Sequence, residues 1–232
     1  MEARYSSIIS NADLKSYYRL GDLTDYKGLI DLTNTNSVTF SSAKYGNGAD
    51  LGSSNSNKYL SAASSLGISG TLSIGHWVYV NTQPSAGEEQ FISGISFATG
   101  DIYYFIRYRN DGGTYKLDFG RDRNGIAATV ATRDGQLSSG TWYHVVLTYD
   151  GTNLRGYLDN SLVAGPTSAT GTGNDGLNDT IFMGTKLPDG PEKYASVKID
   201  DAVFMNAVMS AQEMTELAVY GNPGGSFIFN LI

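Results

Sequence analysis

Two histidines, His76 and His144, are the side chains of this sequence best suited to exchange a proton near neutral pH. His144 lies in the run GTWYHVVLTYDG, where a strand would place it on the same face as Trp142 and Val146. General acid–base catalysis needs a second titratable group fixed close by, and no acid near His144 has that spacing. Both histidines are therefore predicted to be buried, hydrogen-bonded strand residues rather than catalytic ones.

Paired carboxylates would indicate glycoside hydrolysis, in which two acids about 5 Å apart flank the bond that is cut with retention. A strand with acids at alternate positions would provide them, but the sequence contains no such run. Glu88-Glu89 and Asp200-Asp201 are adjacent pairs, and adjacent strand residues point to opposite faces. The sequence also lacks a serine nucleophile elbow and a phosphate-binding loop between a strand and a helix. The chain is predicted not to be an enzyme, although a lyase that uses Tyr, Arg and His stays open.

Sugar binding is the third chemistry that the side chains could support. Two runs alternate, at 102–109 and 114–119, so that one face of each is apolar and the other is mixed. The mixed face combines aromatic rings, which stack on sugars, with planar polar groups, which bind hydroxyls. The predicted ligand-binding residues are Tyr103, Phe105, Arg107, Arg109, Lys116 and Asp118.

Short strands and tight turns must position these residues. The chain has 28 glycines and 16 tyrosines, and NG, DG and GG pairs separate its apolar runs. A dozen strands in one chain predict an all-β sandwich or barrel. The runs lie at 16–20, 37–40, 58–62, 71–80, 90–95, 102–109, 114–119, 127–132, 141–149, 153–158, 180–184 and 196–204. The runs at 71–80 and 141–149 are apolar on both faces, which predicts central strands covered on both sides.

One helix is predicted near the end of the chain, in AQEMTELAVYG. Ser210 would cap it, Glu213 occupies the capping-box position and Gly221 would end it. The apolar sequence SFIFNLI follows a Gly-Gly pair. We expect this C-terminal tail, residues 222–232, to pack on its own domain or to form a contact between subunits.

Composition narrows the class of partner. With 16 basic and 23 acidic residues the net charge is −7, which argues against nucleic acid or an anionic membrane surface. The absence of cysteine excludes disulfides and zinc–thiolate sites. The first twenty residues do not have the pattern of a secretory signal, and no apolar run approaches the 18 residues of a membrane span.

Four blocks of the sequence resemble laminin G-like jelly-roll domains of the concanavalin A-like lectin/glucanase group. They are SYYRLGD at 16–22, LSIGHWVYV at 72–80, GTWYHVVLTYDG with LRGYLDNSLVAG, and KIDDAVFMNAVMSAQEM at 198–214. The resemblance implies a two-sheet antiparallel jelly-roll sandwich with a short C-terminal helix. Two positions depart from the family pattern. Tyr18 replaces a usual Trp, and Asn160 replaces a usual turn Gly, which Asn can do because it tolerates positive φ.

The resemblance also implies a calcium site. In related sandwiches an ion ties the first and last strands together, and Asp31 and Asp200 match acidic positions of the family pattern. Ca²⁺ prefers carboxylate and carbonyl oxygens, which such positions supply. The alternative is that Asp200 accepts hydrogen bonds from a loop and Asp31 caps a turn.

These observations predict a lead segment at 1–15, a sandwich domain at 16–221 and the tail at 222–232. The predicted function is a non-catalytic, lectin-like binding or adhesion module for a glycan or a surface partner. The alternative is a structural virion protein, such as a bacteriophage head or tail decoration or attachment protein. Either function would place the protein on a virion or an extracellular surface.

Overall fold

The computed structural model describes residues 11–64, 66–97, 102–123, 126–169, 179–186 and 193–219. Strands account for most of this part of the chain, and a helix, α1, follows them at Ala211–Val219. The strands are β1 Leu14–Tyr18, β2 Thr33–Thr35, β3 Thr39–Ser42, β4 Asn47–Asp50, β5 Tyr59–Ser64, β6 Leu72–Val80, β7 Glu89–Ser96, β8 Ile102–Asp111, β9 Thr114–Arg123, β10 Ile126–Asp134, β11 Trp142–Tyr149, β12 Asn153–Leu158, β13 Ser161–Ser168, β14 Asp179–Met183 and β15 Val197–Met205.

The strands form two antiparallel sheets that pack face to face, which confirms the predicted sandwich. Sheet 1 has the order β13-β12-β11-β6-β15-β4-β3, with β1 also paired to β15. Sheet 2 has the order β10-β9-β8-β7-β14-β5-β2. The main core lies between them and takes alternate residues from each strand, such as Ile74 and Val78 from β6 and Tyr104 and Ile106 from β8.

The first and last described strands are neighbours, as the resemblance implies. β1 pairs with β15 at Ala202–Met205, and β4 pairs with the same strand at Lys198 and Ile199. A bulge separates the two halves of β15, and Asp201 has a φ of 47° there. The Asp200-Asp201 pair therefore lies in the gap between β1 and β4.

The helix α1 begins as predicted. The Ser210 amide donates to Glu213 Oε2 over 2.8 Å, and the Glu213 amide donates to Ser210 Oγ over 3.2 Å, which is a reciprocal capping box. Met214 and Leu217 are buried against the outer face of sheet 1. This helix explains why β6 and β11 are apolar on both faces, because their outer residues are covered as well.

The domain limits are only partly visible. β1 begins at Leu14, two residues before the predicted start of the sandwich. The tail at 222–232 and the predicted stop at Gly221 lie outside the described residues. No helix in the described part of the chain is long and apolar enough to cross a membrane.

Candidate functional site

His76 points into the core between the sheets. Its Nε2 lies 2.7 Å from Ser93 Oγ and its Nδ1 lies 3.3 Å from the Trp77 carbonyl oxygen. A bulge in β7 lets Ile92 and Ser93 both face inward, which brings the hydroxyl to the imidazole. Burial lowers the pKa of His76 to about 3, so the ring is neutral, and its predicted structural role is consistent with this geometry.

His144 faces the opposite side of sheet 1, beneath α1. Its ring centroid lies 5.4 Å from that of Trp77, whose Nε1 donates to the Leu217 carbonyl of the helix over 3.2 Å. Burial lowers the pKa of His144 to about 4, against a smaller opposing effect of the Asn160 side chain. The predicted burial is confirmed, but neither ring nitrogen makes a hydrogen bond of good geometry. Ring packing, rather than a hydrogen bond, holds this histidine in place.

The predicted sugar-binding residues lie together on the outer face of sheet 2, where aromatic rings form a layer over glycines. Phe182, Gly94, Phe105 and Gly120 follow one another across four paired strands. A Cβ added at Gly94 would lie 2.2 Å from the Phe182 ring, and one at Gly120 would lie 2.1 Å from the Phe105 ring. The rings therefore fill the space that side chains at these glycines would occupy.

Cations cover this aromatic layer. The Arg107 guanidinium lies 5.1 Å from the Phe105 ring centroid, and the Lys186 ammonium lies 5.7 Å from that of Tyr103. Phe105 is only 1% exposed and Tyr103 6% exposed. Solvent therefore meets charged groups on this face, and a sugar could stack on Phe105 only if Arg107 moved.

Asp118 organises the charged groups. It is fully buried, and its Oδ2 accepts hydrogen bonds from Arg107 Nη2 over 2.6 Å and from Arg109 Nε over 2.7 Å. Its Oδ1 accepts one from Thr132 Oγ1 over 2.8 Å. Lys116 is connected to these charged groups through an ion pair with Asp111, which also pairs with Arg109. The structure thus brings all six predicted residues together, while their role in binding stays a prediction.

An open cleft lies at the edge of this charged face and shares Glu89 and Lys193 with it. Its volume is about 570 Å³. Three segments far apart in the sequence form its walls: the turn Ser54–Ser56 with the residues that follow it, the entry to β7, and the residues before β15. The lining residues are Ser54, Asn55, Asn57, Gly87, Glu88, Glu89, Lys193 and Tyr194.

Hydrogen bonds between the walls fix the shape of the cleft. Within the first wall, Ser56 Oγ donates to the Leu51 carbonyl over 2.7 Å, which holds the Ser54–Ser56 turn in place. The buried Gln90 joins the other two, because its Nε2 donates to Glu88 Oε1 over 2.9 Å and its Oε1 accepts from the Ser196 amide over 3.1 Å. The cleft is therefore largely preformed.

Both glutamates of the cleft are held as carboxylates. Burial raises the pKa of Glu88, but hydrogen bonds from Ser85, Gln90 and Ser54 outweigh it and lower the pKa below its usual value. Burial acts on Glu89 in the same way, and the charges of Lys193 and Arg107 likewise lower its pKa. Glu89 Oε2 accepts from Lys193 Nζ over 2.7 Å, and Oε1 accepts from Arg107 Nη1 over 3.1 Å.

No pattern in the sequence indicated this cleft. Glu88 and Glu89 were expected only as an adjacent pair that points apart, whereas the structure gives them separate partners and brings both to the lining of one cleft. Asn55, Asn57 and Tyr194 had no signal of their own. The run GSSNSNK at 52–58 marked an exposed turn, but nothing local related it to residues 87–89 or 193–194.

The two predicted calcium ligands have protein partners. Asp200 is buried, and its Oδ2 accepts a hydrogen bond from the Tyr45 amide over 2.7 Å. Asp31 is exposed, and its Oδ1 accepts one from the Asp25 amide over 2.9 Å. These bonds are the ones that the alternative to calcium requires. Among the described residues no three His, Cys, Asp or Glu form a group that could hold a metal. Calcium at Asp31 and Asp200 stays a prediction.

Comparison with known proteins gives a family match and structural neighbours. A laminin G family model, described as the concanavalin A-like lectin/glucanases superfamily, matches residues 52–215, which confirms the predicted resemblance. No curated protein sequence matches the chain.

Several solved structures share the fold. One is domain 4 of AbnA, a GH43 extracellular arabinanase from Geobacillus stearothermophilus, solved in complex with arabinotriose. It has a TM-score of 0.64 and 16% sequence identity to this chain, and the match covers 89% of this chain and 98% of that one. The binding domain of botulinum neurotoxin DC, in complex with SialylT, has a TM-score of 0.67 and 14% identity over 91% of this chain and 55% of that one. Trypanosoma rangeli sialidase has a TM-score of 0.65 and 16% identity over 91% of this chain, which spans only 33% of the sialidase. At these identities the likeness shows the fold alone.

Proposed function

The chain belongs to the concanavalin A-like lectin/glucanase superfamily, and we propose that it is a non-catalytic carbohydrate-binding module whose sugar occupies the cleft beside β7. The observation that carries this proposal is the cleft itself. Its volume of about 570 Å³ is within the usual range for small ligands. Its walls are rigid enough to bind a sugar without a large ordering cost.

The lining has the chemistry of a sugar site. Tyr194 is half-buried and supplies an aromatic ring, which can stack on the apolar face of a pyranose. Asn55 and Asn57 are exposed amides that both donate and accept hydrogen bonds. Glu88 and Glu89 add carboxylate acceptors for sugar hydroxyls.

The state of the two glutamates supports binding rather than hydrolysis. A glycosidase needs one carboxyl group kept protonated as a general acid, which requires a raised pKa. Both cleft glutamates have a lowered pKa instead. We therefore propose that the cleft holds its ligand unchanged.

The structural neighbours support a ligand of this class. The arabinanase domain was solved with arabinotriose and the neurotoxin domain with SialylT. Adhesion to a glycan-coated surface, outside a cell or on a virion, would be the use of such a module. Attachment or decoration of a virion stays a prediction from the sequence.

A glycan array followed by calorimetry tests the proposed site. We expect the protein to bind a subset of oligosaccharides, and Tyr194→Ala to weaken the best of them at least tenfold through loss of stacking, which is worth about 1.4 kcal/mol or more. Tyr26→Ala is the matched control, because Tyr26 is 46% exposed and does not line the cleft. Absence of binding across the array by folded protein, or equal losses in both variants, would refute the proposal.

A further inference from the structure

The charges of the cleft are unevenly distributed. Glu88 and Glu89 both line it, and among its described lining residues Lys193 is the one cation. Lys193 Nζ is bonded to Glu89 over 2.7 Å. The lining therefore carries a net negative charge, although the charged face beside it is rich in arginine.

The Lys193 side chain is held in this pairing by its charge and by the Phe91 ring, and its backbone conformation is unusual. Its φ of 51° lies in the left-handed region, which an L residue adopts only when its surroundings hold it there. Its carbonyl accepts the Phe91 amide over 3.1 Å, and its ammonium lies 6.0 Å from the Phe91 ring centroid. The lysine could turn towards a ligand only by leaving Glu89 and the aromatic ring.

Arg107 is held in a similar way. Its side chain donates to Glu89 Oε1 and to the buried Asp118, and it lies over the Phe105 ring. A ligand carboxylate in the cleft would meet Glu88 and Glu89 while both neighbouring cations stayed bonded to protein acids. Repulsion between the ligand carboxylate and the two glutamates would oppose binding, because the partly buried site screens charges less than water does.

We propose that the cleft selects neutral sugars and rejects acidic ones, with Glu88 as the residue that sets this preference. The inference rests on the proposed function and names the class of ligand for the same site. Glu88 accepts hydrogen bonds from Ser85, Gln90 and Ser54 and forms no ion pair within the described part of the chain, so its charge is not neutralised by a cation in the way that Glu89 is. Neutral hydroxyls can donate to the remaining lone pairs of both carboxylates.

Pairs of ligands that differ only in a carboxylate test this selectivity. We would measure the Kd of galactotetraose against tetragalacturonate, and of the methyl ester of sialyllactose against sialyllactose itself, by calorimetry at low salt. We expect the neutral member of each pair that binds to do so at least tenfold more tightly, and 0.5 M salt to reduce the ratio because it screens the repulsion. An acidic member that binds as tightly as its neutral partner would overturn the inference and leave the proposed function standing. Binding of neither member in any pair, by folded protein that also binds nothing on the glycan array, would overturn both.

Glu88→Gln separates charge from shape. The amide keeps the size of the side chain and its oxygen can still accept from Ser85, but its NH2 group would face the Gln90 donor. Binding of both sugars can therefore weaken, and the measured quantity is the ratio between them. The ratio of neutral to acidic binding should fall to about twofold. Glu216→Gln on α1 removes the same charge outside the cleft lining and should leave the ratio unchanged. An unchanged ratio in Glu88→Gln, or the same change in both variants, would contradict the role of Glu88.

Discussion

The two histidines show how the same side chain is accommodated in two ways within one sheet. His76 faces the core and meets a hydroxyl, while His144 faces α1 and packs on Trp77. Both are neutral because a charged imidazole is costly to bury. Their strand faces could be predicted from alternation alone. The contact of His76 with Ser93 could not, because it depends on a bulge in a distant strand.

This burial predicts how stability depends on pH. In the unfolded chain a histidine protonates near its ordinary pKa of 6.5, whereas in the fold the pKa values are about 3 and about 4. The unfolded state therefore binds more protons as the pH falls below 6.5, so the free energy of unfolding should decrease by roughly 2 kcal/mol per histidine by pH 5. Urea denaturation at pH 7, 6 and 5 measures this.

Titration of the carboxylates changes the free energy of unfolding in a lower pH range than titration of the histidines. Glu88, Glu89 and Asp150 have lowered pKa values, so their contribution to stability is lost mainly below about pH 5, where the unfolded-state carboxylates protonate before the folded ones. His144→Phe keeps a ring against Trp77 and removes one titration, so it should halve the pH dependence above pH 5. A free energy of unfolding that is constant between pH 7 and pH 5 would contradict the burial of both rings.

At the scale of elements, sheet 2 depends on glycines in neighbouring strands. Gly94 of β7 lies beside Phe182 of β14, and Gly120 of β9 lies beside Phe105 of β8. Strand alternation predicted that Phe105 shares a face with Arg107, as the structure has it. It could not predict that the ring would lie down over a glycine and be covered by Arg107, because that requires the register of four strands.

Gly94→Ala should therefore destabilise the fold strongly. The new Cβ would lie 2.2 Å from the Phe182 ring and 2.3 Å from the Tyr104 carbonyl oxygen, so a strand as well as a ring must move. We expect a loss of about 2–4 kcal/mol in unfolding free energy, measured by urea denaturation. Gly21→Ala is the control, because its Cβ would meet nothing closer than 3.6 Å and should change stability little. Equal midpoints for the two variants would contradict the ring-over-glycine packing.

Strand prediction succeeded where side chains alternate and failed where they do not. All twelve predicted runs overlap a strand, and the Asp159-Asn160 turn between β12 and β13 has the positive φ values expected of it. Three strands lie outside the twelve runs. β13 pairs with β12 across the Asp159-Asn160 turn, whereas β2 and β4, with the sequences TNT and NGAD, contain no apolar alternation. Tertiary pairing with β5 and β15 makes them strands.

At the scale of the whole molecule, the proposed binding cleft depends on topology more than on local sequence. The cleft joins segments near residues 55, 88 and 194, which meet only after both sheets have formed. A single sequence carries the strand pattern that builds these sheets, but it carries no signal that relates the three loops. The fold could therefore be predicted, whereas the open polar cleft could not.

The C-terminal tail raises the remaining question at this scale. It lies outside the described residues, and its sequence places Phe227, Ile228, Phe229, Leu231 and Ile232 within six positions. Burial of such side chains provides roughly 1.5–3 kcal/mol each before ordering costs. Left in water the segment would associate with other apolar surfaces, so some surface must cover it.

We expect the tail to dock on its own domain, because its tether to α1 makes that contact intramolecular. The full chain and a 1–221 truncation should then both scatter light as monomers, while the truncation melts at a lower temperature because buried apolar area is lost. The full-length double variant Phe227→Ser with Phe229→Ser is the control for chain length, and it should melt like the truncation. A larger mass for the full chain that falls to that of a monomer on truncation would instead establish a contact between subunits, and the protein would act as part of an assembly.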